Sequence, residues 1–283
     1  MGTLDTFQAA RSRLVSIAYR MLGSSTDAED VMQEAWLRWQ SADESAVHNP
    51  DAWLTATVSR LCLDKLKALR VRREAYKGPW LPEPVRTAAP LDRESISLAF
   101  LVLLERLSPS ERAVYLLHRV FDYTHREIGE ALDMTEPAAR QAFHRAEQHV
   151  AQNRPRFAVN AAEHEKLLAA FGDAAFRGDL DALTQMLAHD ATLWADADGK
   201  VRGAAGKPVE GADKIARFLV GLAQKYTAPD QRYAIELING WPALVGRRDG
   251  VVNGILTIET DGQKVIAVRN VVNPDKLSLP EVN

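Results

Sequence analysis

The chain has 283 residues, 46% of them hydrophobic and 26% charged, and its formal net charge is −3. These values are typical of folded globular proteins, so they exclude a wholly disordered chain and a fibrous repeat, and the length predicts two or three domains. The longest nearly apolar run, residues 96–104, is much shorter than the roughly 20 residues of a membrane span. The polar N-terminal residues lack the order of a signal peptide, so we expect a cytoplasmic protein.

The chain contains one cysteine, Cys62. A single cysteine cannot form an intramolecular disulfide and does not provide a cysteine-based zinc site. The simplest interpretation of Cys62 is a small residue of a hydrophobic core. We expect neither a bound metal nor a cofactor.

The charges are distributed unevenly along the chain. Residues 1–156 hold 21 basic and 21 acidic residues, whereas residues 157–283 hold 14 and 17. Within residues 60–77, however, seven basic residues face two acidic ones. Such a patch can attract phosphate groups even on a neutral domain, because salt screens charges within about 8 Å; a solvated helix end is the alternative. The basic residues are Arg60, Lys65, Lys67, Arg70, Arg72, Arg73 and Lys77.

The N-terminal part of the chain is predicted to be helical only. Apolar residues recur at steps of three and four over residues 7–21, and Gly23 follows where such a helix would end. Thr26 and Glu29 have the spacing of a capping box and predict the start of a second helix. A third helix is predicted after Pro50, and it carries the basic patch.

A proline-rich stretch follows, and because proline removes a backbone donor and disfavours helix before it, residues 77–92 are predicted to be a linker. Beyond it, Ser108 with Glu111 and Thr124 with Glu127 form two further capping boxes. The short helix after Thr124, a three-residue turn and a last helix to about residue 150 match a helix-turn-helix, although many such hairpins never touch DNA. Four residues project from its second helix: Arg140, Gln141, His144 and Arg145.

The pattern changes after Pro155 from helices to strands. Helices are predicted over residues 163–177, 180–187 and 211–226, and five strand-like runs over residues 191–195, 233–238, 243–245, 251–258 and 265–272. Turn pairs such as Asp261-Gly262 separate the runs. We therefore expect an α+β domain in which a curved antiparallel sheet wraps over helices, a shape that often leaves a pocket. The predicted domains are residues 1–76, 93–155 and 156–283, with the linker at 77–92.

Four segments in this order resemble one known family. The segment from Asp27 to Arg38, together with residues 53–69, resembles region two of sigma-70-type factors of the extracytoplasmic-function class, and residues 107–146 are similar to region four. Trp80-Leu-Pro-Glu-Pro84 in the linker and Asn273-Pro-Asp-Lys-Leu277 near the C-terminus resemble the signatures of a subgroup with a fused SnoaL-like, nuclear-transport-factor-like domain. The four segments together span nearly the whole chain.

The resemblance implies a multidomain fold, two all-α domains followed by an α+β SnoaL-like domain. It also implies a function: an alternative sigma factor, not an enzyme, that binds core RNA polymerase and directs transcription from specific promoters. Polymerase-binding positions of the family match Asp30, Gln33 and Glu34. Promoter-binding positions of region two match Arg60, Asp64, Lys65, Lys67, Arg70, Arg72 and Arg73, and those of region four match Arg140, Gln141, His144 and Arg145.

The same resemblance implies that the C-terminal domain regulates the other two domains in cis. Proline cannot extend a central strand, so the residues after Asn273 are expected to leave the sheet and become free to meet the linker. We expect this contact to set the relative position of regions two and four. The interdomain residues are Trp80, Leu81, Pro82, Glu83, Pro84, Asn273, Pro274, Asp275, Lys276 and Leu277.

Two departures from the family pattern and two alternatives remain. Residues 196–200 are Asp-Ala-Asp-Gly-Lys where the subgroup usually has a glycine-rich motif, and Ala142 and Glu147 occupy positions of the last helix that are often basic. The first alternative is a SnoaL-like enzyme with a pocket carboxylate as base, for which the candidates are His189, Asp190, Asp196 and Asp198. The second is a ligand sensor, in which an unknown small molecule contacts Trp194, Asn239, Trp241 and Asn253.

Overall fold

The computed structural model describes residues 3–43, 46–88, 96–153, 160–226 and 228–280; at positions 3, 70–72 and 153 it describes the backbone but not the side chain. The chain divides into two compact units. The helical unit contains residues 1–74 and 100–154, and the sheet unit contains residues 75–99 and 155–281. Among the described residues, no helix is long and apolar enough to cross a membrane.

The helical unit is built from α1 to α7, with residues 98 and 99 of α4 falling in the sheet unit. The bounds are α1 Thr3–Leu22, α2 Ser25–Ser41, α3 Pro50–Glu74, α4 Leu98–Leu104, α5 Pro109–Arg119, α6 His125–Leu132 and α7 Glu136–Asn153. The capping boxes predicted at Ser108 and Thr124 are confirmed, and they open α5 and α6.

The capping box predicted at Thr26 is wrong. The hydroxyl of Ser24 accepts a hydrogen bond from the backbone N–H of Asp27 (3.1 Å), so Ser24 is the N-cap and Thr26 lies inside the first turn of α2. Both residues can cap a helix. Ser24 directly follows Gly23, which ends α1 with a positive φ of 67°, so the chain reverses there and α2 starts at once.

The turn between α6 and α7 depends on two backbone positions. Asp133 ends α6 in the left-handed conformation (φ 55°, ψ 45°). A Cβ atom at Gly129 would lie 2.8 Å from the carbonyl oxygen of Met134, so only glycine allows the turn to pack this closely on α6. Thr135 then caps α7 by accepting a hydrogen bond from the N–H of Ala138 (3.3 Å).

The two helical segments that flank the linker contact each other within the helical unit. The guanidinium of Arg112 is buried and donates to the carbonyl oxygen of Arg20 (2.9 Å), and it also pairs with Glu105. The hydroxyl of Tyr123 hydrogen-bonds Thr55 of α3 (3.0 Å). Buried polar groups are expensive unless paired, so these pairs require the two segments to meet in one register.

The sheet unit contains a six-stranded sheet in the order β2-β1-β6-β5-β4-β3. Its strands are β1 Leu187–Asp196, β2 Val209–Glu210, β3 Arg232–Ile238, β4 Trp241–Arg248, β5 Val251–Thr260 and β6 Val265–Val271. Its helices are α8 Ala161–Arg177, α9 Leu180–Met186 and α10 Ala212–Tyr226, and a 3-10 turn, Pro274–Lys276, follows β6. The strands predicted from alternation all form, and they extend beyond their predicted ends or match them to within a residue.

The sheet is mixed, whereas the sequence predicted an antiparallel one. Strands β3 to β6 form the expected meander, but β1 pairs with β6 in parallel, with Leu193 opposite Val268. A parallel pair needs a long connection, and residues 197–264 supply it. The core between sheet and helices includes Phe171 of α8 and Ile215 of α10.

The reactivity of Cys62 measures how well its thiol is protected by the packing of the helical unit. Its side chain is fully buried in α3, and burial raises the pKa of the thiol. Because the thiolate is the attacking form, we expect a disulfide reagent to label the native chain at least ~100-fold more slowly than the urea-unfolded chain. Equal labelling rates in the two states would contradict this packing.

Candidate functional site

The exposed face of α2 carries the three residues matched to polymerase binding. Asp30, Gln33 and Glu34 are all exposed, and Glu34 forms an ion pair with Arg38 one turn later (2.9 Å). The same face includes Leu37, whose side chain is 59% exposed. The charge pattern alone did not single out Leu37, and a single exposed leucine is common on protein surfaces.

Several cations of α3 that were matched to promoter binding are already paired within the helical unit. Lys65 lies between Asp27 (3.1 Å) and Asp30 (2.7 Å) of α2. Arg73 pairs with Glu105 and donates to the carbonyl oxygen of Leu22 (3.1 Å). In this arrangement neither cation is available to a phosphate group.

Asp64 and Lys67 form an exposed pair on the outer side of α3 (3.0 Å), so both remain accessible. The side chains of Arg70 and Arg72 lie outside the described residues, so their role stays a prediction.

Arg60 makes the most specific contact on α3. Its guanidinium donates to the carbonyl oxygens of Ala131 (2.7 Å) and Glu130 (3.1 Å) and to the carboxylate of Asp133 (3.0 Å). These groups form the C-terminal end of α6, where unpaired carbonyls and the helix dipole favour a cation. A residue matched to region two is therefore bound by the first helix of the helix-turn-helix.

The outer face of α7 remains open. Arg140, Gln141 and His144 are exposed; Arg140 pairs with Glu136 within the helix (2.7 Å), and Arg145 is drawn toward α5 by Glu111 (2.8 Å).

The departures noted in α7 differ in their consequence. Ala142 is buried, so the missing basic residue at that position removes no exposed group. Glu147 is exposed and adds a negative charge to α7.

In the sheet unit, the described residues of the linker, 77–88, lie along the sheet, and hydrogen bonds to the linker backbone hold them there. The side chain and the backbone of Asn239, in the turn between β3 and β4, bond both the N–H (3.1 Å) and the carbonyl (2.8 Å) of Val85. The same side chain donates to the carbonyl of Ile96 (3.1 Å), and Arg86 bonds the carbonyl of Pro280 (2.9 Å). Asn239 has a positive φ of 52° and is fully buried, and its side chain positions the linker.

A buried ion pair holds the linker next to its tryptophan. The carboxylate of Asp196, with no exposed area, accepts from the ammonium of Lys276 (2.8 Å) and from the N–H of Leu81 (2.7 Å). The ammonium, on a side chain only 8% exposed, donates in turn to the carbonyl of Leu81 (2.6 Å). One peptide segment of the linker is thus bound at both its donor and its acceptor.

Aromatic rings close the same cluster. The ammonium of Lys276 lies 4.2 Å from the ring centroid of Trp80 and 5.0 Å from that of Tyr76, both within the range of cation–π attraction. The hydroxyl of Tyr76 donates to Asp196 and accepts from the amide of Asn273 (2.7 Å), and burial beside that carboxylate raises the pKa of the phenol. We call Tyr76, Trp80, Leu81, Asp196, Asn273 and Lys276 the linker clasp.

The remaining residues of the two pentapeptides shape the clasp. Pro82, Pro84 and Leu277 are buried, whereas Glu83 is partly exposed. Pro274 opens the 3-10 turn, whose N-cap is Asn273, and this turn directs Lys276 back toward the linker. Asp275 faces the other way and pairs with the exposed Lys200.

The residues proposed for a catalytic base do not converge. His189 and Asp190 are exposed on β1, Asp198 binds the backbone N–H of Lys77 (3.2 Å), and Asp196 belongs to the clasp. None of the four is among the described residues that line the large cavity of the sheet unit.

Of the residues suggested for a ligand pocket, Asn253 lines that cavity. Trp194 instead stacks under Arg269 (5.3 Å), and Trp241 packs against His164 (5.3 Å).

Two clasp residues lie outside the pentapeptides and were not assigned to it from the sequence. Tyr76 had no motif to mark it, and Asp196 was noted as a catalytic candidate and as part of a departure from the family motif, not as a partner of the linker. Asp196 lies 115 positions from Leu81 along the chain, so no local spacing links them.

Arg60 provides a test of the contact between α3 and α6. We expect Arg60→Met to lower the free energy of opening of the helical unit by about 1 kcal/mol, since charge-assisted hydrogen bonds are lost at a partly exposed position. The labelling rate of Cys62 measures this free energy. Lys67→Met is the control, because it removes only an exposed pair and should cost less than about 0.5 kcal/mol. Equal losses in the two variants would contradict the assigned contact.

Comparison with known proteins identifies two family matches and several relatives. The sigma-70 region 2 family matches residues 6–72, and the sigma-70 region 4 family matches residues 97–150. The ECF RNA polymerase sigma factor SigJ of Mycobacterium tuberculosis is 38% identical over 97% of this chain and 93% of its own length. A probable ECF RNA polymerase sigma factor of the same species, SigI, is 29% identical over 96% of this chain and 93% of its own length.

The likeness extends to three dimensions. The crystal structure of M. tuberculosis SigJ superposes with a TM-score of 0.75 at 35% sequence identity, and the match covers 99% of this chain and all of that one. With the identity to SigJ above 30% over almost the full length of both proteins, the chain belongs to the extracytoplasmic-function (ECF) RNA polymerase sigma factors.

Proposed function

We propose that this alternative sigma factor binds core RNA polymerase through the exposed face of α2, contacts promoter DNA through α3 and α7, and is regulated in cis by its sheet unit. The observation that carries the regulatory part is the clasp: a buried ion pair binds both polar groups of one residue of the linker, Leu81. The linker connects α3 to α4, the two segments that match region 2 and region 4.

The exposed groups of α2 and α7 support the two contact surfaces. On α2, Gln33, Glu34 and Leu37 combine polar and apolar exposed groups, the composition of a protein interface. On α7, Arg140 and Gln141 have side chains suited to guanine and adenine edges in a major groove. The proposal assigns the first surface to polymerase and the second to DNA.

The occupied cations of α3 support a closed resting form. DNA binding by Arg60 requires that its three bonds to α6 break, and binding by Lys65 requires that its pairs with α2 rearrange. A linker that is fixed by the clasp limits how far α3 and α4 can separate. A linker that is free adds length to the segment that joins them and allows a larger separation. We therefore assign the clasp to the inactive form.

The cavity of the sheet unit does not favour the enzyme alternative. Its described lining includes no carboxylate and no imidazole; its titratable groups are Arg202 and the phenols of Tyr226 and Tyr233, and all three side chains are exposed at the surface and do not converge on an enclosed site. General acid–base catalysis needs a titratable group within hydrogen-bond reach of the substrate. The proposed role of this unit is therefore regulatory and not catalytic.

Charge reversal on α2 tests the polymerase surface. We expect Glu34→Lys to weaken retention on immobilised core polymerase by at least tenfold, because like charges or unpaired groups at an interface cost more than about 1.4 kcal/mol. Glu29→Lys is the matched control, since Glu29 is on the same helix, is similarly exposed and also pairs with a single arginine, Arg11. The assignment to this face fails if both variants bind as wild type does.

Removal of the clasp cation tests regulation. Lys276→Met leaves a buried carboxylate without its partner, a change that costs about 3 to 5 kcal/mol for such pairs. We expect the linker to detach, so that trypsin cleaves after Lys77 at least tenfold faster and promoter-dependent transcription with added core polymerase rises several-fold. Lys200→Met is the control, because it removes only surface pairs with Asp198 and Asp275.

A second variant guards against simple misfolding. Asp196→Asn combined with Lys276→Met removes both buried charges and is expected to activate without the instability of the single change. Faster cleavage with unchanged transcription would show that the two units are only tethered, and lower transcription would show that the clasp supports the active form instead. Either result overturns the proposal.

A further inference from the structure

A cavity of about 230 Å³ lies in the sheet unit between the sheet and helices α8 and α10. Its lining is mainly aromatic and aliphatic, with Phe171, Phe176, Phe218 and Leu256 among the contributors. An apolar cavity of roughly 150 Å³ accepts a benzene molecule. The space here therefore has room for a body of about two fused rings.

The entrance of the cavity is marked by exposed aromatic side chains. Phe176, Tyr226 and Tyr233 are three of the six large hydrophobic residues that are exposed in the described part of the chain, and all three line this cavity. The rings of Phe176 and Tyr233 lie 3.8 Å apart, and the ring of Tyr226 covers Gly203 so closely that a Cβ atom there would be 2.5 Å away. Clustered exposed apolar groups are typical of a binding site.

Besides the exposed Arg202, Tyr226 and Tyr233, the lining contains three carboxamide side chains. Gln231 and Asn253 bond each other through both amides (3.0 and 2.7 Å). Asn270 of β6 also lines the cavity, and its side-chain carboxamide makes no hydrogen bond to any residue that the structure describes. A half-buried amide without a protein partner can donate to and accept from a bound molecule.

We propose that this cavity is a binding site for a neutral, largely apolar small molecule with a body of about two rings and one hydrogen-bonding group directed at Asn270. A charged ligand is disfavoured because ionised groups lose much more on leaving water than the apolar lining returns. The exposed cation Arg202 remains solvated at the entrance and does not offset that cost.

The cavity adjoins the linker clasp along the backbone. Ala195 and Val272 line the cavity, and their chain neighbours Asp196 and Asn273 belong to the clasp. The N–H groups of Val272 and Asn273 both bond the carbonyl of Asp196 (2.8 Å each), so the two strand ends move together. If closure of the clasp changes the affinity of the cavity for a ligand by some factor, binding of that ligand changes the equilibrium of clasp closure by the same factor. This second step rests on the proposed function.

The binding step is tested with the full-length chain and defined probes. The neutral fluorophore N-phenyl-1-naphthylamine should bind with a rise in fluorescence, and naphthalene-2-carboxamide should displace it at a concentration at least tenfold lower than naphthalene-2-carboxylate does. Absence of fluorophore binding would overturn the site. Displacement by the carboxylate at equal or lower concentration would overturn the assigned neutral class.

Two variants locate the binding. Ala223→Trp fills the cavity from α10 and should abolish fluorophore binding, whereas Gln224→Trp, the next residue and exposed, should not. Because a tryptophan in the cavity can disturb folding, Asn270→Leu is the second test: it should retain the fluorophore and weaken the carboxamide at least tenfold. Normal binding by Ala223→Trp, or unchanged carboxamide displacement in Asn270→Leu, contradicts the proposed site.

The coupling has a separate readout. Naphthalene-2-carboxamide at saturation should change the rate of tryptic cleavage after Lys77 at least threefold in the wild-type chain. If Lys276→Met alters that cleavage and the bound carboxamide does not, the clasp stands and the coupling is wrong. If neither alters it, the clasp itself is wrong, while the binding site is judged by the fluorophore alone.

Discussion

The buried pair of Asp196 and Lys276 is the constraint on which the organisation of the sheet unit depends. Two opposite charges removed from water must satisfy each other and their remaining lone pairs and protons. Here the remaining hydrogen-bonding positions are occupied by the N–H and carbonyl of Leu81 in the linker and by the hydroxyl of Tyr76, which directly precedes it. The linker is therefore part of the polar interior of this unit and not a strand of chain passing over it.

In the helical unit, too, charged residues pair with one another. The equal numbers of basic and acidic residues in the first 156 positions correspond in space to specific pairs, such as Lys65 with Asp27 and Arg73 with Glu105. DNA phosphates would compete with these internal carboxylates, and the competition would depend on salt because counterion release drives phosphate binding. Under the proposed function, the paired cations of this domain would contribute to DNA binding only after the pairs separate.

Local rules predicted most of the secondary structure, and distant contacts account for what they missed. The capping boxes at Ser108 and Thr124 need only residues three positions apart, so the sequence showed them directly. The N-cap of α2 was misplaced by two positions because Ser24 and Thr26 are chemically similar and only the end of α1 distinguishes them.

The parallel pairing of β1 with β6 joins residues about 75 positions apart, and alternation of apolar residues carries no information on strand direction. The resemblance supplied the pentapeptides around Trp80 and Lys276, but Asp196 and Tyr76 could be joined to them only in the fold.

The residues of the clasp are also synthesised at different times. Leu81 and Lys276 are 195 positions apart, and a ribosome adds roughly 5 to 20 residues per second. The last helical residue, Asn153, lies 123 positions before Lys276, so the helical segments are synthesised about 6 to 25 s before the residue that fastens their linker. Each newly synthesised chain therefore passes through an interval in which all of its helical residues have been made and Lys276 has not; under the proposed function, a chain in this interval is not yet restrained by the clasp.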